Sequence, residues 1–217
     1  MSSKTHLKNF VFFYVKKRIH NTNYIVHEHE EKNLSYFIFS IKKHYPESKI
    51  IQCTDLKSPK ISGVDEIFRV NIDINKIMEG RIYSYSKLNL NEPSLYLDTD
   101  MLIIKKIPFD LIIDKAEVIL LKRSFNIDAK IPEIFRGQTY KDHNNKTLGQ
   151  IYPYIGCFIY SDNNNFWRDC YKIYEKLEDN YKFWFGDQKV LKKIVEKKKF
   201  KFAFLQESEF ACPPYYI

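Results

Sequence analysis

The chain has 217 residues, of which 44% are hydrophobic and 16% aromatic, and its formal net charge at pH 7 is +8. This length fits one domain with a substantial core, and the composition argues against a disordered chain. The positive charge favours anionic partners such as nucleotide diphosphates, phosphorylated glycans or acidic lipid surfaces. No apolar run approaches the roughly 20 residues that span a bilayer. The four cysteines form no CxxC pair, which favours free thiols in a reducing compartment.

The predicted elements alternate between strands and helices along the chain. Apolar runs predict strands at residues 10–15, 49–53, 66–70, 95–97, 117–121, 155–160 and 202–205. Apolar side chains at helical spacing predict helices at residues 33–45, 76–90, 165–179 and 187–196. This alternation, with strands that are nearly continuously apolar, predicts one α/β domain over residues 1–217 with a mainly parallel central sheet flanked by helices.

Residues 124–150 are the least regular stretch of the chain. They are polar and include Arg136, Gln138 and His143. A loop of this length inside a compact domain is usually a lid, a binding loop or a disordered segment. We expect a lid or an acceptor loop here.

The segment Asp98-Thr99-Asp100 says most about function. It follows the apolar run at 94–97, and a second apolar run, residues 101–104, comes directly after it. Residues two apart on an extended strand share a face, so Asp98 and Asp100 are expected to point the same way. A hard divalent cation resolves the repulsion between two such carboxylates and keeps positions open for substrate phosphate. A turn closed by an Asx bond is the alternative interpretation.

Several other kinds of site are disfavoured by the sequence. There are six glycines, and neither GxGxxG nor GxxxxGK[ST] occurs, which argues against a dinucleotide fingerprint or a P-loop. The segment 27–31, HEHEE, does not fit HExxH, and a charged loop is its simpler interpretation. Cys157 has no histidine nearby in sequence to activate it as a nucleophile.

Four segments together resemble the core of GT-A-fold glycosyltransferases, and they are most similar to glycosyltransferase family 8, the galactosyl/glucosyltransferase and glycogenin group. These segments are residues 85–90 (YSKLNL), 95–103 (LYLDTDMLI), 152–159 (YPYIGCFI) and 185–191 (FGDQKVL). Their order and approximate spacing agree with the family across residues 10–205. The resemblance implies a nucleotide-sugar donor, most simply a UDP-hexose, and a glycan or lipid-linked acceptor.

The resemblance also implies a metal site. Mn²⁺ or Mg²⁺ would bind Asp98 and Asp100, with Thr99 and Gly156 as neighbours of the nucleotide sugar. The cation would neutralise the charge that develops on the departing diphosphate without any proton transfer. Tyr14, at the end of the first predicted strand, would lie beside the base, and a core tyrosine is the alternative.

The remaining expected site residues are Lys87, Asp187 and Gln188. Lys87 stands where the family has a basic residue that faces the donor, and a surface lysine on a helix is the alternative. Asp187 and Gln188 match family positions near the reactive carbon of the sugar and its hydroxyls, so they are the candidate catalytic pair. An N-cap is the structural alternative for Asp187. Retention of anomeric configuration is likewise implied by the resemblance alone.

The sequence departs from the family at three places. No histidine follows His143, so the family's later metal-binding histidine is missing. The third ligand would be water, another side chain such as Glu207 or Glu209, or nothing. Tyr154 stands where the family has an asparagine. The sequence ends at Ile217, where larger members of the family continue with a membrane-associating tail.

Two alternatives stay open beside a metal-dependent glycosyltransferase. One is a sugar-1-phosphate nucleotidyltransferase, although no Gly-rich loop follows the first predicted strand. Another is a non-catalytic module that binds a nucleotide sugar. A nucleic-acid partner is not expected, because no recognised motif accompanies the charge. We expect the protein in the cytosol, with peripheral contact to the cytosolic face of a membrane left open.

Overall fold

A seven-stranded sheet forms the centre of the molecule. The computed structural model describes residues 7–16, 30–108 and 116–211. Strand order in the sheet is β3-β2-β1-β4-β8-β5-β9, and β6 pairs with β7 in a separate hairpin. The strands are β1 (Asn9–Phe13), β2 (Lys49–Thr54), β3 (Glu66–Arg69), β4 (Ser94–Leu97), β5 (Val118–Lys122), β6 (Ile134–Phe135), β7 (Gln138–Thr139), β8 (Tyr154–Ser161) and β9 (Phe202–Gln206).

The sheet is mainly parallel, as the sequence predicts. Strands β3, β2, β1 and β4 pair in parallel, and so do β5 and β9. Strand β8 runs antiparallel between β4 and β5. The carboxyl ends of β1 and β4 therefore meet at one edge of the sheet, where α/β proteins bind their ligands.

Helices cover both faces of the sheet. They are α1 (Glu30–His44), α2 (Ile77–Leu88), α3 (Leu148–Ile151), α4 (Asn165–Tyr174), α5 (Asn180–Phe183), α6 (Gly186–Glu196) and α7 (Glu207–Phe210), with a 3-10 helix at Lys141–His143. Successive strand residues alternate between two apolar cores, because side chains along a strand point to opposite faces. One core packs against α2, α4 and α6 and the other against α1.

The predicted elements lie where expected, with shifted ends. Every predicted strand and each of the four predicted helices is present. The helix predicted to reach residue 179 ends at Tyr174, and β1 ends at Phe13 rather than at residue 15. The hairpin β6–β7 and the short helices α3, α5 and α7 were not predicted.

Some sequence features lie outside the described residues. These are the histidines of the 27–31 segment, the end of the basic run at 16–18, Cys212 and the final residues 213–217. Within the described part, Cys53, Cys157 and Cys170 are free thiols. None of the helices in that part combines the length and the hydropathy that a membrane span needs.

Candidate active site

A cavity of about 700 Å³ opens at the carboxyl ends of β1 and β4. This volume suits a small-molecule or cofactor ligand. Its wall combines residues from the end of β1, helices α1 and α2, the segment after β4, strand β8 and the start of α6. The charged and amide side chains of the wall include Arg81, Asp98, Asp100, Asp187 and Gln188.

Asp98, Thr99 and Asp100 form a turn rather than the end of a strand. Strand β4 stops at Leu97, and the N–H of Met101 donates to the carbonyl of Asp98 at 3.2 Å. The prediction that Asp98 and Asp100 share a face because they lie on one strand is therefore wrong, since the strand ends before them. Both aspartates nevertheless line the cavity. The N–H of Asp98 donates to the carbonyl of Cys157 at 3.0 Å, which fixes the turn to β8.

Arg81 on α2 bridges two carboxylates of the cavity. Its Nη1 lies 2.9 Å from Oδ1 of Asp98 and 3.5 Å from Oδ2 of Asp187, and its Nη2 donates to the carbonyl of Gly156. The Arg81 side chain is only 10% exposed. Burial opposes its charge, but Asp98 and Asp187 raise the pKa of Arg81 and keep it protonated. One buried guanidinium thus fixes the relative positions of the turn and of α6.

The carboxylates of the cavity outnumber its nearby guanidinium. Burial raises the pKa of Asp98 to about 6; Arg81 opposes this rise, whereas Asp100 and Asp187 add to it. Asp98, Asp100 and Asp187 together with Arg81 carry a formal charge of −2, and Arg136 on the same wall leaves −1 for the cavity as a whole, so a divalent cation would be attracted to these carboxylates. No ion pair joins Asp100 to any other described residue.

Gly156 allows the close approach of these groups. Strand β8 bulges here, because its pairing with β5 shifts from Leu120–Ile159 to Leu121–Ile155. A Cβ at Gly156 would overlap Oδ2 of Asp187 and would lie 3.4 Å from Nη2 of Arg81. Only glycine fits without displacing the carboxylate.

Arg123, just after β5, fixes the orientation of Gln188. Its Nη2 donates to Oε1 of Gln188 at 2.6 Å, and its Nε donates to the carbonyl of Tyr152 at 2.9 Å. Because a guanidinium has no acceptor, it must engage the amide oxygen. The Nε2 amide group is therefore the part of Gln188 left for other contacts. The N–H of Gln188 donates to Oδ1 of Asp187 at 2.7 Å.

The structure brings most of the predicted site residues together. Tyr14, Thr99 and Gly156 line the same cavity as the two aspartates of the turn and the Asp187–Gln188 pair. Lys87 does not line the cavity, so the prediction that it faces the donor is wrong. Its side chain is exposed, and its Nζ lies 5.2 Å from the ring centroid of Tyr83.

Arg81 is the basic residue of the cavity that sequence reasoning missed. It lies six residues before Lys87, which places the two about 120° apart around the helix. A signal was present in the sequence, because Arg81 lies four residues from both Ile77 and Tyr85. It therefore shares the apolar stripe of α2, where an unpaired charge is not tolerated.

Neither glutamate proposed as a third metal ligand lies on the cavity wall. The Glu207 carboxylate accepts the N–H groups of Ser124 and Phe125 at 2.9 and 3.1 Å, and Glu209 is exposed. The described residues contain no group of three or more histidine, cysteine or acidic side chains arranged to hold a metal. Cys157 does reach the cavity, but burial raises the pKa of its thiol well above the usual range, so a nucleophilic thiolate is disfavoured.

The donor set still fits a cation that binds together with its substrate. Mg²⁺ usually takes one or two carboxylates from the protein, and water and substrate phosphates complete its coordination. The ion pair between Asp98 and Arg81 is made through Oδ1 of Asp98. The other oxygen of Asp98 and the carboxylate of Asp100 are thus suited to such a cation.

The fold is similar to that of solved glycosyltransferases and of a solved nucleoside-diphosphate-sugar pyrophosphorylase. The glycosyltransferase GlyE of Streptococcus pneumoniae TIGR4 matches 93% of this chain with 13% identity and a TM-score of 0.54. The galactosyltransferase LgtC, solved with donor and acceptor sugar analogues, matches 92% with 11% identity and a TM-score of 0.52. A nucleoside-diphosphate-sugar pyrophosphorylase of Vibrio cholerae RC9 matches 94% with 8% identity and a TM-score of 0.51.

These likenesses confirm the resemblance to GT-A-type glycosyltransferases at the level of the fold. The chain spans 46% of the length of GlyE, 73% of LgtC and 96% of the pyrophosphorylase. No family model matches the sequence, and no curated protein matches it either. Because transferases and pyrophosphorylases share the fold, the residues of the cavity must decide between them.

Proposed function

We propose that this chain is a metal-dependent glycosyltransferase that transfers a hexose from a UDP-sugar to a glycan or lipid-linked acceptor. The observation that carries the proposal is the convergence of Asp98, Asp100, Arg81, Asp187 and Gln188 on one cavity at the carboxyl ends of the strands. The choice of UDP, the retention of anomeric configuration and the acceptor class rest on the resemblance to family 8.

Asp98 and Asp100 would hold Mn²⁺ or Mg²⁺ in this proposal. A bound divalent cation supplies charge neutralisation for the diphosphate that leaves the sugar. The two aspartates contribute oxygen ligands from one turn, and that turn is fixed to β8 through the amide of Asp98. Preorganisation of this kind lowers the reorganisation that bond cleavage requires.

Arg81 and Asp187 would position the donor sugar. The guanidinium is anchored by Asp98 and by the carbonyl of Gly156, so it lies beside the proposed diphosphate site. Asp187 is buried at the start of α6 and is held by that same guanidinium. Its carboxylate is suited to accept hydrogen bonds from sugar hydroxyls.

Gln188 would act through its amide nitrogen. Arg123 already engages its Oε1 at 2.6 Å. The arrangement therefore favours Gln188 as a hydrogen-bond donor near the reacting carbon over Gln188 as a nucleophile through oxygen. Arg123 is a positioning residue in this scheme.

A module that binds a nucleotide sugar without turnover is the second candidate. It is favoured by one observation, the absence of a third acidic, histidine or cysteine ligand in the described part of the cavity. A nucleotidyltransferase has the same fold but is disfavoured. The first glycine of the chain is Gly63, so no Gly-rich loop can follow β1.

Thermal unfolding with UDP and Mn²⁺ tests the proposal. A ligand at 100 times its Kd stabilises the folded state by about 2.7 kcal/mol. We expect UDP to raise the Tm with Mn²⁺ but much less with EDTA. Asp98→Asn should remove the Mn²⁺-dependent shift, whereas Asp128→Asn, which changes an exposed carboxylate off the cavity wall, should keep it.

Donor hydrolysis then separates the enzyme from the module. Release of UDP from a UDP-hexose in the presence of Mn²⁺ is expected for the transferase. A protein that binds UDP with Mn²⁺ but leaves every common UDP-hexose intact would be the binding module. The absence of any metal-dependent Tm shift would contradict the metal-dependent transferase, and the absence of any UDP-dependent shift would contradict both.

A further inference from the structure

Arg136 occupies the tip of the β6–β7 hairpin in a backbone conformation that an arginine rarely adopts. Its φ is +51°, and that of Gly137 is +76°. A two-residue hairpin loop with positive φ at both positions normally takes Asn-Gly or Gly-Gly. A non-glycine residue is strained in this left-handed conformation. The turn itself therefore gives no reason for an arginine at this position. We look for the reason in the contacts of its side chain.

The Arg136 side chain lies on the ring of Trp184. The guanidinium carbon is 4.0 Å from the ring centroid, a short distance for a cation–π contact. Stacking uses one face of the guanidinium and leaves the N–H groups along its edge free to donate. Both residues line the cavity that contains Asp98 and Asp187.

The hairpin is fixed to the helix that precedes α6. The ring centroids of Phe135 and Phe185 are 5.1 Å apart. Nδ2 of Asn180 donates to the carbonyl of Thr139 at 2.6 Å, and the Tyr140 hydroxyl donates to the carbonyl of Asn180 at 3.1 Å. These contacts hold the hairpin that carries the Arg136 guanidinium in place.

Arg136 has no anionic partner in the described part of the protein. No ion pair within 4.0 Å joins it to a described carboxylate. The side chain is exposed at the cavity. A planar guanidinium with free edges matches a phosphate or a carboxylate through two parallel hydrogen bonds.

The position of Arg136 assigns it to the acceptor end of the cavity. In the sheet, β4 lies between β1 and β8. Tyr14 follows β1, Asp98 follows β4, and Asp187 contacts the β8 side. A nucleotide sugar with its diphosphate at Asp98 and its base beside Tyr14 has its sugar at Asp187. Trp184 is three residues before Asp187 and carries Arg136 on its ring, so in this pose we infer that Arg136 lies on the sugar side of the cavity.

We propose that Arg136, supported by Trp184, forms an acceptor subsite that binds an anionic sugar through its phosphate or carboxylate. This proposal rests on the proposed glycosyltransferase function and names the class of its acceptor. The charge-assisted pair is worth roughly 1.5–3 kcal/mol, which corresponds to a factor of about 10 to 100 in affinity.

Calorimetric titration tests the subsite on the full chain saturated with UDP and Mg²⁺. The probes are glucose 6-phosphate, glucuronic acid and glucose. We expect at least one anionic sugar to bind at least tenfold more tightly than glucose, and the stronger of the two identifies phosphate or carboxylate as the preferred group. Arg136→Gln should abolish this preference, and Arg136→Lys should restore part of it. Arg168→Gln serves as the matched control, since Arg168 is exposed and bonds to Asn89 off the cavity wall.

UDP binding measured on the same samples separates the two levels of the proposal. If wild-type protein binds UDP with Mg²⁺ but does not prefer an anionic sugar to glucose, the subsite is refuted while the donor site stands. A preference that survives in Arg136→Gln refutes it as well. If UDP with Mg²⁺ does not bind, the glycosyltransferase function fails, and the acceptor subsite falls with it.

Discussion

Gly156→Ala should destabilise the protein through one side-chain clash. The new Cβ would overlap Oδ2 of Asp187 and would lie 3.0 Å from its Cγ, so the carboxylate must move away from Arg81. Overpacking of this kind typically costs about 1–3 kcal/mol. With a loss of about 2 kcal/mol and a urea m value of roughly 2 kcal/mol/M, the unfolding midpoint falls by about 1 M.

A double-mutant cycle isolates this clash. In an Asp187→Ala background the atoms that obstruct the new methyl group are gone, so Gly156→Ala should cost at least about 1 kcal/mol less than in the wild type. Gly137→Ala is the control, because its methyl group would meet no atom of a non-neighbouring residue within 4 Å, and its φ of +76° strains the backbone alone. Its cost should be the same in both backgrounds. Additive effects of the changes at 156 and 187 would refute the reasoning.

Two further predictions concern buried charge. Arg81→Met should lower the unfolding free energy by about 2 kcal/mol in urea titrations. This loss is smaller than the roughly 3–5 kcal/mol expected when a fully buried ion pair is broken, because the Asp98 side chain is 35% exposed. Unchanged stability would contradict the bridging role of Arg81. Burial opposes ionisation of Asp142, but hydrogen bonds from Lys189 and Tyr181 outweigh it and lower its pKa below 3.8. The folded state therefore gains stability above pH 3.8 that is lost as the pH falls through the lowered pKa. Asp142→Asn should cost about 1–2 kcal/mol at pH 7. The gap to wild type should close as the pH falls through the lowered pKa of Asp142, and a gap that does not change as the pH is lowered would contradict this role of Asp142.

The strands could be predicted from the sequence because most of them are buried on both faces. Strands β1, β4 and β5 appear as nearly continuous apolar runs, and β2 does so apart from the buried Gln52; tertiary packing keeps them as strands. The predicted ends of these strands were less accurate, because the last residue of a strand depends on its neighbours in the sheet. The hairpin β6–β7 escaped prediction because two strands of two residues carry no periodic pattern, and Arg136-Gly137 lacks the usual turn signal.

The site was predictable where residue type alone indicates the chemistry. Asp98 and Asp100 were found by their spacing after an apolar run, although a turn and not a strand presents them. Arg81 was missed because its partners, Asp98 and Asp187, are distant in sequence and meet it only through the packing of α2 against the sheet. Local similarity favoured Lys87, which the helix directs to solvent.

Anomalous diffraction from crystals soaked with Mn²⁺ and UDP tests the central claim most directly. We predict one manganese peak within about 2.0–2.6 Å of carboxylate oxygens from both Asp98 and Asp100, with the UDP diphosphate completing the coordination. A nucleotide bound elsewhere, or a cavity in which both carboxylates face away from any metal, would contradict the proposed function.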